Sequence, residues 1–161
     1  MTADTTYAIE RARPQDGAAF TASIAGLFTE DGGTRDPHLD TTWPDHHGAE
    51  DFVRELDDPN HLHLLVRGDD GRVYGHLIGV RRQPHPMRPS ARTAVLLSMR
   101  VAPEARRQGV ANRLVGDFMD WARQQQANEV TVSAYASNHP ALNCYRRNGF
   151  QDFEIVLRAE P

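Results

Sequence analysis

Residues 106–111, Arg-Arg-Gln-Gly-Val-Ala, set two guanidinium groups, a glycine and an alanine where an apolar run gives way to an amphipathic one. A helix that opens here leaves its first N–H groups without internal partners, at the positive end of its dipole. Gly109 and Ala111 let a large anion lie against the backbone, because little side chain intrudes. Arg106 and Arg107 offer diffuse positive charge suited to phosphate oxygens. They do not stabilise the helix, since its N-terminus disfavours cations. The chemistry these residues offer is pyrophosphate binding; the plainer reading is two solvated arginines and a turn glycine. No G-x-x-x-x-G-K-[ST] loop and no G-x-G-x-x-G turn occurs, so the common nucleotide loops are excluded.

Further on, Asn138, Ala141, Tyr145, Gly149 and Phe150 mark a short helix and its end. Tyr145 carries a phenol that can give up a proton while itself uncharged; alone, it fits a core tyrosine equally well. Cys144 has no evident activating base and reads as a small buried residue.

The elements that must position these groups follow from periodicity. Residues 7–11 predict a strand and 14–28 a helix with Ala18, Ala19, Ile24, Leu27 and Phe28 on one side. Residues 29–47 read as a long polar loop, of the kind that is usually functional. A short helix is expected over 49–57, with Phe52, Val53 and Leu56 inward. Residues 61–67 and 72–82 form two strands about an Asp69-Asp70-Gly71 turn. Three prolines make 83–91 a loop. Residues 92–101 are apolar enough for a central strand buried on both faces. From Gly109 an amphipathic helix places Val110, Leu114, Val115, Phe118, Met119 and Ala122 on its inner stripe. A strand over 129–135 follows, parallel to the previous one because a helix links them. After the helix ending at Gly149, residues 150–158 predict a last strand. The order is β-α-α-β-β-β-α-β-α-β, an α+β chain forming one domain over 1–161.

Taken together, these motifs resemble the GNAT superfamily of acyl-CoA-dependent N-acyltransferases. Its [QR]-x-x-G-x-[GA] signature is matched from Arg106 to Ala111, preceded by Val101-x-Pro103-Glu104. A second signature, Asn-x-x-Ala-x-x-x-Tyr-x-x-x-Gly-Phe, is matched from Asn138 to Phe150. Both occur in the family's order on the expected elements; residues before about 60 match only in outline. The resemblance implies a mixed, largely antiparallel twisted sheet flanked by helices, with a parallel, splayed pair of central strands. It implies acetyl-CoA as co-substrate, its pantetheine arm pairing with backbone of Met99 and Val101. The segment Arg106, Arg107, Gln108, Gly109, Val110, Ala111 and Asn112 would hold the pyrophosphate. Asn138 would face the pantetheine, and Tyr145 would protonate the departing thiolate.

The family often carries a glutamate base on the central strand. Here that strand reads TAVLLSMRV, with Ser98 at one of those positions. Substitutes are Glu30, Asp31, His63, His76 and His85, or a chain of waters. The acceptor pocket is expected from loops 29–47 and 83–91, with Glu30, Asp31, Trp43 and His85 toward a small cationic amine. The absent carboxylate keeps a second reading open, a non-catalytic acyl-CoA-binding or sensor domain of the same fold.

Composition narrows the classes further. At 161 residues, with 39% apolar and 25% charged, the chain can bury a core and is not disordered. A formal charge of −4 argues against a nucleic-acid binder. Charge is divided: carboxylates crowd 29–58 and arginines crowd 81–113. No apolar run reaches the ~20 residues of a membrane helix, and no signal peptide is expected. The single cysteine excludes an internal disulfide and fits the cytoplasm. Adjacent His46 and His47 read as solvated, so no metal is expected. Pairing of two copies through the C-terminal strands is the assembly the resemblance suggests.

Overall fold

The computed structural model describes residues 5–161. Met1 to Asp4, part of the expected 1–161 domain, lie outside the described residues. Five strands, β1 (Tyr7–Arg11), β2 (His61–Gly68), β3 (Val73–Arg81), β4 (Thr93–Val101) and β5 (Glu129–Val132), form one sheet in chain order. The first three pairings are antiparallel, and β4 pairs with β5 in parallel.

Alternate side chains of β2 and β3 enter two separate cores, which is why both strands read as almost continuously apolar. Leu65 and Ile78 pack with Phe20 of α1 (Gly17–Leu27) and Phe52 of α3 (Trp43–Leu56). Leu62, Leu64, Val66 and Leu77 face the other way. They meet Leu114, Val115, Phe118 and Trp121 of α4 (Val110–Gln124). The sheet thus separates α1 and α3 from α4, and α5 (His139–Arg147) follows β5.

Residues 29–47 are more ordered than the polar loop their composition predicts. A π-helical turn, Phe28–Gly32, continues α1, and one helical turn, α2 (Gly33–Arg35), follows. The next helix starts at Trp43, not 49, because Pro44 is tolerated at a helix start and sits buried there. His46 and His47 therefore ride on α3, where the His47 ring stacks on Trp43 at 3.9 Å.

Two expectations about strands fail for one reason: a strand needs a partner. Pairing between β4 and β5 runs only from Thr93↔Glu129 to Leu96↔Val132. At Leu97 a bulge breaks the β3–β4 register, increasing local twist, and the two central strands part. Residues 133–135 thus extend no ladder. Residues 150–158 form no strand either. Their last backbone bond to the fold is Phe150 N–H to Tyr145 C=O, and the tail lies exposed.

Candidate active site

Where β4 leaves β5, its edge opens beside the start of α4. A short 3-10 turn, Pro103–Ala105, lifts the chain off β4. Arg107 and Gly109 then take left-handed conformations, with φ of 62° and 75°. At Gly109 this is costly for any other residue, and a Cβ there would meet only open space. The first helical bond of α4 runs from Arg113 N–H to Gly109 C=O. Among the described residues, the amides from Arg107 to Asn112 have no hydrogen-bond partner, and no acidic side chain caps this turn. The structure thus brings together the segment singled out for an anion as a row of amides without internal partners.

Arg106 points elsewhere. Its Nε donates to the Val101 carbonyl at 2.8 Å, and its Nη2 donates to Glu30 at 2.9 Å. Glu30 also accepts from Arg100 Nη2 at 2.5 Å and Nε at 3.2 Å. Burial raises the Glu30 carboxyl, but Arg100 and then Arg106 outweigh it and hold it below the usual carboxylate range. The glutamate expected to face a cationic substrate is therefore neutralised by two arginines. Gly26 makes this arrangement possible: a Cβ there would lie 2.7 Å from the Arg100 guanidinium. Sequence reasoning missed Arg100. Its one signal was a lone charge inside the apolar TAVLLSMRV run.

Asp31, next in the π-helical turn, faces the opposite lip of the opening. Its Oδ1 accepts from Arg35 Nε at 2.6 Å and from Asn138 Nδ2 at 2.9 Å. Arg35 also donates to Ser137 at 2.9 Å. Oδ2 of Asp31 has no partner among the described residues. Asn138 caps α5, its side chain accepting from Ala141 N–H at 3.2 Å. Adjacent carboxylates thus tie the same turn to β4 on one side and to the β5–α5 connection on the other.

Tyr145 is 8% exposed, its ring packed edge-on to Phe150 at 5.7 Å. Among the described residues Thr21 Oγ1 is the sealed side-chain atom lacking a partner. Tyr145 Oη, not sealed in that way, has no hydrogen-bond partner among the described residues. Burial first, then the neighbouring Cys144 and Asp31, push the phenol above its ordinary value. It stays protonated, as a proton donor must. Burial also raises the Cys144 thiol, so it is no ready nucleophile. Asn148, also missed from sequence, donates to Asn112 Oδ1 and to the Cys144 carbonyl at 2.9 and 2.8 Å. It ties the first turn of α4 to the last of α5.

Met99 and Val101 stand on β4 beyond Leu96, where no β5 residue pairs with them. Trp43, 48% exposed, lines a cleft of about 300 Å³ with Phe28, Leu39 and Asp40. His85 is not brought there. Its loop is fastened through Arg88 to Glu129, at the closed end of the β4–β5 pair. His63 packs on Phe20 and Phe52. His76 is wholly buried between Ser23 and Ser98. Burial first, then Arg100 and His63, push it down to about 3. Among the described residues no group of three or more candidate metal ligands gathers, and no helix is long and apolar enough to cross a membrane.

Comparison with known proteins gives the family and the fold. Residues 30–150 match the sequence model of the "Acetyltransferase (GNAT) family". An aminoglycoside N(6')-acetyltransferase type 1 of Serratia marcescens is 31% identical over 124 residues, 71% of this chain and 78% of that protein. YhfO, an uncharacterized N-acetyltransferase of Bacillus subtilis (strain 168), is 27% identical over 89% of each chain. Aminoglycoside N-acetyltransferase AAC(6')-Iy in complex with CoA superposes with a TM-score of 0.78 at 16% identity. That match covers 100% of this chain and 98% of that one. AAC(6')-Ih of Acinetobacter baumannii gives 0.72 at 20% identity over 97% and 98%. At those identities the structures establish the fold.

Proposed function

This chain belongs to the GNAT acetyltransferase family, and from that premise we propose that it moves the acetyl group of acetyl-CoA onto a primary amine of a small cationic acceptor, of the aminoglycoside kind, by direct attack in a ternary complex. The observation that carries this reading is the row of unpartnered amides from Arg107 to Asn112 beside the open edge of β4. In it, those amides hold the pyrophosphate. Backbone of Met99 and Val101 pairs with the pantetheine arm, and Asn138 flanks it.

The chemistry is a proton-balanced exchange. The neutral amine attacks the thioester carbon, the C–N bond forms, the nitrogen of the tetrahedral adduct gives up a proton to water, and the adduct breaks its C–S bond to expel sulfur. Tyr145 gives its proton to the departing thiolate and regains one from solvent. The ammonium must first lose a proton to water, and Asp31, whose charge acts on Tyr145 and whose Oδ2 has no partner among the described residues, is placed to draw that ammonium in. Trp43 and Asp40 supply an aromatic wall and a negative charge for the rest of a cationic acceptor. The relatives named for aminoglycosides support an acceptor of that class. A cytoplasmic location belongs to the same reading. A homodimer does too: Phe153, Ile155, Val156 and Leu157, each at least 75% exposed, offer an apolar tail for a second copy to cover.

Calorimetric titration with acetyl-CoA, using NAD as the control, tests the donor site. Binding of acetyl-CoA that is lost in Gly109→Glu supports it, and no binding in the wild type refutes it. Binding without turnover of any amine would instead favour the sensor reading.

A further inference from the structure

A buried hydrogen-bond chain crosses from α1 to β4. Ser23 Oγ lies 2.7 Å from His76 Nδ1, and His76 Nε2 lies 2.8 Å from Ser98 Oγ. Ser23 is 4% exposed and His76 is 0% exposed. A neutral imidazole has one donor and one acceptor nitrogen, so the chain has a direction. Among the described residues Ser23 Oγ has no other partner, and a sealed hydroxyl proton needs an acceptor. That acceptor is Nδ1. Nε2 therefore carries the hydrogen and donates to Ser98, leaving the Ser98 proton to point outward. Ser98 is half-buried and has no second partner among the described residues.

Its place says what it points toward. Ser98 pairs with Ile78, which packs on Phe20, so it lies on the α1 face of the sheet. It follows Leu96, the last β4 residue paired to β5, across the exposed bulge residue Leu97. The cleft of Phe28, Leu39, Asp40 and Trp43 is built by segments following α1. Arg100, two residues further along β4 and so on the same face as Ser98, bonds Glu30 in the Phe28–Gly32 turn, so that face of β4 adjoins the turn from which the cleft's Phe28 comes.

We propose that Ser98 is a hydrogen-bond donor to the acceptor substrate, with His76 as its positioning residue, and that the pair selects amines carrying an oxygen beside the reactive nitrogen over plain alkyl amines. This rests on the acetyltransferase reading above and deepens it. Ser98 is turned to give a hydrogen bond, not to take a proton. The ammonium proton leaves by another route.

Two measurements test this. Long-range ¹⁵N–¹H correlation NMR of the imidazoles, with His76 assigned by its loss in His76→Gln, should show the Nε2–H tautomer. An Nδ1–H tautomer would overturn the proposal, whether or not any amine is turned over. Kinetics then compare 6-amino-6-deoxyglucose with cyclohexylmethylamine, which presents the same aminomethyl ring without oxygens. Ser98→Ala should lower kcat/KM for the amino sugar about tenfold, mainly through KM, and leave the alkyl amine nearly unchanged. Ser98→Thr should restore it, and the acid limb of the pH profile should not move. Equal losses for both amines, or a shifted acid limb, would overturn the donor role. Failure of the wild type on every amine would refute the acetyltransferase reading, leaving the tautomer to decide the direction of the chain.

Discussion

Replacing Glu30 with glutamine should strengthen acetyl-CoA binding while weakening the fold. In the free protein Arg106, with its side chain half exposed, is held by Glu30 at 2.9 Å and by the Val101 carbonyl. A pyrophosphate at the start of α4 must draw Arg106 away from that carboxylate. An ion pair this exposed is worth about 0.2–1 kcal/mol. Removing it should tighten acetyl-CoA by roughly one-and-a-half to fivefold. Arg100 behaves differently. Its side chain is 16% exposed, and Glu30 accepts two of its hydrogen bonds. Losing those charged bonds should cost roughly 1–3 kcal/mol of stability, or about 2–12 °C in Tm for a chain of this size. Calorimetry and thermal melting of Glu30→Gln read the two signs separately. Weaker acetyl-CoA binding in the variant would mean the opposite, that Glu30 holds Arg106 ready for phosphate instead of competing with it.

Other consequences are equally checkable. Tyr145→Phe should lower kcat by about 10²-fold or more with little change in the amine KM. Because burial holds the phenol above its ordinary value, the wild-type rate should show no alkaline limb from Tyr145 below pH 10. His76, pushed down to about 3 from 6.5, binds a proton more readily when unfolded. Its contribution is complete above pH 6.5 and is lost as pH falls, at up to about 1.4 kcal/mol per pH unit. Denaturant titrations between pH 6.5 and 4.5 should therefore show a steeper loss for wild type than for His76→Gln; parallel slopes would count against it. Sedimentation velocity should show a dimer that Leu157→Asp converts to monomer, and a monomeric wild type would remove the tail's proposed role.

What could be read from residues alone was whatever local pattern decides. The α4 stripe of Leu114, Val115 and Phe118 and the apolar runs of β2 and β3 announce their elements, and the glycine at 109 announces its turn. The tail from 150 to 158 has the composition of a strand, but strand formation depends on a partner that local pattern cannot supply. The segment 29–47 was obscured by its polarity, since its order comes in part from long-range ion pairs. The Glu30–Arg100 contact joins residues far apart in the chain. The Ser23–His76–Ser98 chain was hidden for the same reason, with one member on each of α1, β3 and β4.

The most direct test is product analysis. The purified protein is incubated with acetyl-CoA and an aminoglycoside-class amine, and the amine is examined by mass spectrometry beside a Tyr145→Phe control. A singly acetylated amine is expected, formed much more slowly by the variant. An unmodified amine across a panel of such acceptors, despite acetyl-CoA binding, would contradict the acetyltransferase reading.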